Sequence, residues 1–66
     1  MTFIIELTCD RDHKTVSKRL RMSAPNSTAL IKPAVALVDS AGSPVGGFRI
    51  LDDDGIVHAA AWLGAK

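Results

Sequence analysis

Two turn signals cut the second half of this chain into short apolar runs, and they restrict its fold more than any other feature. The order is Ala34-Val35-Ala36-Leu37-Val38-Asp39, then Ser40-Ala41-Gly42-Ser43-Pro44, then Phe48-Arg49-Ile50-Leu51, then Asp52-Asp53-Asp54-Gly55, then Ile56-Val57-His58. Short apolar segments bounded by Gly, Pro, Ser and Asp predict strand, turn, strand, turn, strand. The second turn has a mechanism: aspartate tolerates turn geometry and bonds its own backbone, while Gly55 supplies a positive φ. Gly46-Gly47, just before Phe48, predicts a bulge or a close approach of another backbone. With no lysine or helix start after them, these glycines are not a phosphate loop.

The first half adds two more segments. From Phe3 to Asp10 the residues alternate, with Phe3, Ile5, Leu7 and Cys9 on one side and Ile4, Glu6, Thr8 and Asp10 on the other, the period-two pattern of a strand with one buried face. Asp10 to Lys14 suits a hairpin loop. Thr15 to Met22 reads better as a strand than as a helix, because its helical stripe would hold only Val16 and Leu20 as large apolar members. Ser23 to Thr28 is a loop. Ala29 to Lys32 predicts a short helical turn, halted by Pro33. Ala59-Ala60-Ala61-Trp62-Leu63 fits either a helix ending at Gly64 or a continuation of the strand from Ile56, which would set Trp62 on the same face as His58.

The expected fold is therefore mainly β: a small antiparallel sheet or barrel-like domain of about four to five strands, with room for one short helix. The alternative is α+β with residues 13–22 or 56–63 helical. Residues 1–66 make a single small domain. The expected core is Phe3, Ile5, Leu7, Leu37, Phe48, Ile50 and Trp62. Hydrophobic residues make up 47% of the chain, enough to build such a core and to argue against disorder. A domain this small often needs a staple, and the single cysteine, Cys9, cannot form an internal disulfide. Pairing of exposed sheet edges in a homodimer, or with another chain, is one remaining source of stability. A lone thiol suits a reducing, cytoplasmic compartment. Neither a signal peptide nor a membrane span is expected, since the opening Met1 to Glu6 lacks a basic region and the apolar runs are short.

The chemistry-bearing residues point to binding and not to catalysis. Cys9, His13 and His58, with an aspartate, resemble a zinc set only loosely. The Cys-x2-Cys pairs of small zinc domains are absent, and Cys9 shares the apolar face of its strand, where a packed thiol is the plainer reading. No cofactor, no metal and no enzymatic activity are expected. Charge is uneven: residues 1–33 carry +3 and residues 34–66 carry −2, within an overall +1. The basic strip Arg11, Lys14, Lys18, Arg19 and Arg21 and the acidic turn Asp52, Asp53 and Asp54 are the candidate partner-binding residues. They suggest a small protein-interaction module, an accessory or inhibitor protein of a larger assembly, of the size that phages and mobile elements encode. The alternative is a nucleic-acid-binding domain that contacts phosphates through the 11–21 strip. With two Phe, one Trp and no Tyr, aromatic stacking of bases is not expected to contribute.

Overall fold

The computed structural model describes residues 1–64. β1 (Thr2–Thr8) is the middle of the molecule, hydrogen-bonded on one side to β2 (Val16–Ser23) and on the other to β3 (Gly47–Asp52). β4 (Val57–Trp62) completes a four-stranded, fully antiparallel sheet in the order β2-β1-β3-β4. A 3-10 turn (Thr28–Leu30) and the helix α1 (Ile31–Ala41) carry the chain across one face between β2 and β3. The chain is thus mainly β with one helix.

The alternation in β1 is borne out. Phe3, Ile5 and Leu7 are buried and face α1, together with Phe48 and Ile50 from β3. The expected segment 15–22 is a strand, as its thin helical stripe implied, with bounds Val16–Ser23. Register pairs Ile5 with Leu20 and Phe3 with Met22, so β2 adds its apolar side to the same face. The β1–β2 loop is held by its own polar groups: Cys9 N–H donates to the Thr15 carbonyl (2.9 Å), and Thr15 N–H donates to Asp10 Oδ1 (3.1 Å). His13 takes φ +61° there, a left-handed conformation uncommon outside glycine.

The segment 34–39 is helical, which corrects the strand expected there. Leu30, Ala34 and Val38 are buried at intervals of four, and Leu37 is half-buried beside them. Those spacings form one stripe of an α-helix. A short apolar run has no periodicity that separates a strand from a buried helix face. Pro33 does not halt the helix because it lies in the first turn, where its missing N–H would have no intrahelical acceptor. Asn26 supports the helix entry, its Oδ1 accepting from Ala29 N–H (3.0 Å). Gly42, at φ +72°, ends it, with its N–H on the Val38 carbonyl. The Ser43–Pro44 peptide that follows is cis.

The Asp52–Gly55 turn forms as its chemistry requires. Gly55 takes φ +80° and donates to the Asp52 carbonyl, and Asp52 Oδ1 accepts from the N–H groups of Asp54 (2.9 Å) and Ile56 (3.0 Å). Residues 56–63 are not helical. β4 carries one extra residue, since Leu51 pairs with Val57 but Ile50 with Ala59. This bulge turns His58 toward the helix side, where its ring meets Phe3 edge-on at 5.6 Å between centroids. Trp62 lies on the other face, packed on Gly47, where an added Cβ would sit 2.8 Å from its ring and 2.7 Å from the Ala61 carbonyl oxygen. Trp62 therefore leaves the expected core and does not share a face with His58, while Gly47 is the close approach that the glycine pair implied. The core that forms is Phe3, Ile5, Leu7, Leu30, Ala34, Val38, Val45, Phe48 and Ile50.

Ile50 is fully buried at the centre of this cluster. Ile50→Ala should cost about 2–5 kcal/mol, enough to lower the thermal midpoint sharply or unfold the domain. Leu37→Ala, at a half-buried site, should cost clearly less. Melting curves of the two variants check the ranking, and an unshifted midpoint for Ile50→Ala would contradict this core.

Candidate functional site

Because α1 covers one face of the sheet, the other face is bare, and strand register arranges its side chains in three rows. The first row runs Arg21, Ile4, Leu51, Val57 across the four strands; the second runs Arg19, Glu6, Arg49, Ala60; the third runs Val16, Thr8, Gly47, Trp62. Three arginines thus share this face with one carboxylate, one indole and five aliphatic side chains, Val16, Ile4, Leu51, Val57 and Ala60.

The middle row is the electrostatic centre. The Glu6 side chain is only 7% exposed. Its Oε2 accepts from Arg19 Nε (2.8 Å), and its Oε1 accepts from Arg49 Nε (3.0 Å) and Nη2 (2.5 Å). Burial by itself pushes the Glu6 carboxyl up, but the hydrogen bonds and charge of the two guanidinium groups outweigh it and hold the group below its ordinary 4.5. Arg49 is largely covered, whereas Arg19 remains 64% exposed. Glu6 therefore orients two cations without neutralising the face. Arg21 makes no ion pair among the described residues and is exposed.

The third row is held from the loop side. Thr8, fully buried, bonds His13 Nδ1 through its hydroxyl at 2.8 Å, which draws the 9–15 loop to this end of the sheet. Arg11 and Lys14 belong to that loop and are exposed, and Lys14 faces Asp12 across a loose 3.7 Å pair. Lys18 pairs with Leu7 in register, so it stands on the helix side, opposite to Arg19 and Arg21. The five-cation strip read from the sequence thus divides three ways: Arg19 and Arg21 on the bare face, Lys18 behind it, Arg11 and Lys14 at its end.

The acidic turn lies at the far end of the sheet. Its first member is not available to a partner. Asp52 Oδ2 meets His58 Nε2 at 2.7 Å while Oδ1 takes two backbone N–H groups, and the His58 contact leads the causes that lower its pKa below 3.8. Asp53 and Asp54 are exposed. Glu6, Arg49 and Trp62 were absent from the sequence-based site. Glu6 and Arg49 gave one signal, a single charge set mid-strand in an otherwise apolar segment, whereas Trp62 gave none, because the bulge in β4 decides its side.

Cys9, His13 and His58 are not brought together. Cys9 is half-buried and packs against the core, His13 is bonded to Thr8, and His58 is at the opposite end of the sheet. Among the described residues, no group of three or more His, Cys, Asp or Glu side chains is placed to hold a metal ion. Among the described residues, no helix is long and apolar enough to cross a membrane. A separate apolar groove of about 550 Å³ runs between α1 and β2, lined by Leu20, Met22, Pro33, Ala36 and Leu37 among others. No protein-family model, curated protein or solved structure matches this chain.

Glu6, Asp10 and Asp52 are all held below their ordinary pKa in the folded chain, Asp10 chiefly by its hydrogen bonds with Thr15. A carboxyl with a depressed folded pKa binds fewer protons folded than unfolded. Its stabilisation is present above the unfolded value, 4.5 for Glu6 and 3.8 for the aspartates, and is lost as pH falls through the folded value. Thermal midpoints should therefore drop as pH is lowered below 4.5. Glu6→Gln should destabilise the protein at neutral pH by ~1–3 kcal/mol and flatten that acid limb. Melts across pH on both proteins read the two effects together.

Proposed function

We propose that this chain is a small protein-interaction module without chemistry of its own, an accessory or inhibitory subunit that docks a larger partner through the bare face of its sheet. The observation that carries the reading is the composition of that face. Tryptophan and arginine are the residues that most often dominate binding energy at protein interfaces, and aliphatic neighbours exclude water around them. Here Trp62 and Arg49 stand beside Leu51 and Ile4, and Arg19 and Arg21 line the outer strand. The partner surface that fits is acidic with an apolar centre. Excess positive charge would speed encounter, and the Glu6-fixed guanidiniums would meet carboxylates without first being ordered. A cytoplasmic setting agrees with the unpaired Cys9.

A second reading has its own support. Trp62 lies on the same face as Arg49, and the Arg11–Lys14 loop borders that end of the sheet, so one aromatic ring and several cations border a surface that single-stranded nucleic acid could follow. That is more stacking capacity than the composition implied, although a lone ring supports one base at most.

The two readings separate on one set of variants. With a captured protein partner, Arg19→Ala combined with Arg21→Ala should weaken binding about tenfold or more, mainly through the on-rate. Lys32→Ala, on the helix, should leave it unchanged. Asp53→Asn with Asp54→Asn should strengthen nucleic-acid binding slightly but not protein binding. Fluorescence anisotropy with labelled single strands and duplexes, read against salt, measures the nucleic-acid arm. A double-arginine variant that folds and retains full binding in both assays would remove the bare face as the site.

A further inference from the structure

The two outer strands of the sheet differ in how they meet solvent. β2 carries Lys18, Arg19 and Arg21, charges of the kind that keep an open edge from pairing with another strand. An antiparallel copy of β2 laid on this edge would set cation against cation. β4 has no such protection. From Ile56 to Leu63 the chain has no Lys, Arg, Asp, Glu or Pro, and Leu63 just past its end is 50% exposed. Three consecutive alanines leave the edge unshielded by long side chains.

The hydrogen-bond phase of β4 is fixed by its last contacts. Leu63 N–H donates to the Gly46 carbonyl at 2.7 Å. In an antiparallel ladder, residues alternate between those that direct both backbone groups to the neighbour and those that direct both away. Leu63, Ala61 and Ala59 therefore turn toward β3, and Ala60 and Trp62 turn their N–H and C=O groups outward.

We propose that this edge is the seam of a homodimer, in which β4 pairs antiparallel with β4 of a second copy about a two-fold axis at Ala61. Ala60 of each chain then exchanges both backbone hydrogen bonds with the partner's Trp62. Side chains match by size across the seam: Trp62 opposes the partner's Ala60, Leu63 opposes the partner's Ala59, and Ala61 meets its own copy. Every large residue faces an alanine, and no charge meets a like charge. This self-complementarity is what selects a second copy as occupant. An axis perpendicular to the sheet gives eight continuous strands with both helices on one side. Both arginine-bearing faces then lie on the other side, flanking a central pair of tryptophans. The inference is independent of what those faces bind.

The test is sedimentation of the full chain from low micromolar to several hundred micromolar, with two sets of variants. The wild type should shift from monomer to dimer mass over that range. Ala60→Pro removes an outward N–H and no internal ladder bond, so it should keep the native circular dichroism and raise the dissociation constant by at least about tenfold. In a Cys9→Ser background, Ala61→Cys should give a disulfide-linked dimer under mild oxidation, because directly opposed non-hydrogen-bonded residues lie within disulfide reach. Ala60→Cys, offset from its own copy, should not. A wild type that stays monomeric throughout overturns the proposal, as does a folded Ala60→Pro that dimerises equally well. If Ala60→Pro fails to fold, the cysteine pair decides: equal crosslinking at 60 and 61, or none at 61, overturns the seam.

Discussion

Everything in this small domain depends on a central strand of seven residues that must satisfy two neighbours and two unlike faces at once. β1 gives Phe3, Ile5 and Leu7 to the core below α1 and Glu6 to the opposite face. A carboxylate on the middle strand of a sheet is flanked by side chains from both neighbours and loses much of its water. It is tolerated there because one arginine from each flanking strand donates to it. Arg19 lies 13 residues away and Arg49 lies 43 away, so this one cluster ties the first hairpin to the second. A change at Glu6 is felt by three strands, whereas a change at exposed Lys14 is felt by a loop.

How much of this was legible in the sequence follows from how local each determinant is. β1 declared itself through period-two alternation, β2 through a helical stripe too thin to bury, β3 as a short apolar run between turn signals, and the Asp52–Gly55 turn through residue chemistry that acts within four positions. α1 did not. Its run Ala34 to Val38 has too few polar residues to show a phase, and Pro33 looked like a stop until its place in the first turn was known. The side on which Trp62 falls was hidden for another reason. One extra residue in β4 reverses the alternation beyond it, and only pairing with β3 reveals that insertion. The candidate site was half-legible. Arg19 and Arg21 were visible as cations two apart on one strand, but Arg49 joins them only because β3 lies on the far side of β1.

Charge is also organised lengthwise. The β1–β2 loop with Arg11 and Lys14 is at one end of the sheet, and the turn with Asp53 and Asp54 is at the other. Within each end, the polar groups nearest the backbone serve the fold: Asp10 closes its loop through Thr15 and Asp52 closes its turn through Asp54, Ile56 and His58. What remains outward is the surplus of each sign. A molecule polarised along its strands presents different potentials to partners approaching its two ends, and so favours one orientation in encounter.

The packing of Trp62 on Gly47 has a practical consequence. It is the only tryptophan in the chain, and it sits half-buried on the bare face at the outer strand, apart from the core. Its emission therefore samples the surface and not the interior. Intrinsic fluorescence of the unlabelled protein will respond to contact at this face and along this edge, while staying comparatively blind to rearrangements around Phe3 and Ile50. A probe that usually reports unfolding becomes, by its position here, an optical gauge of occupancy.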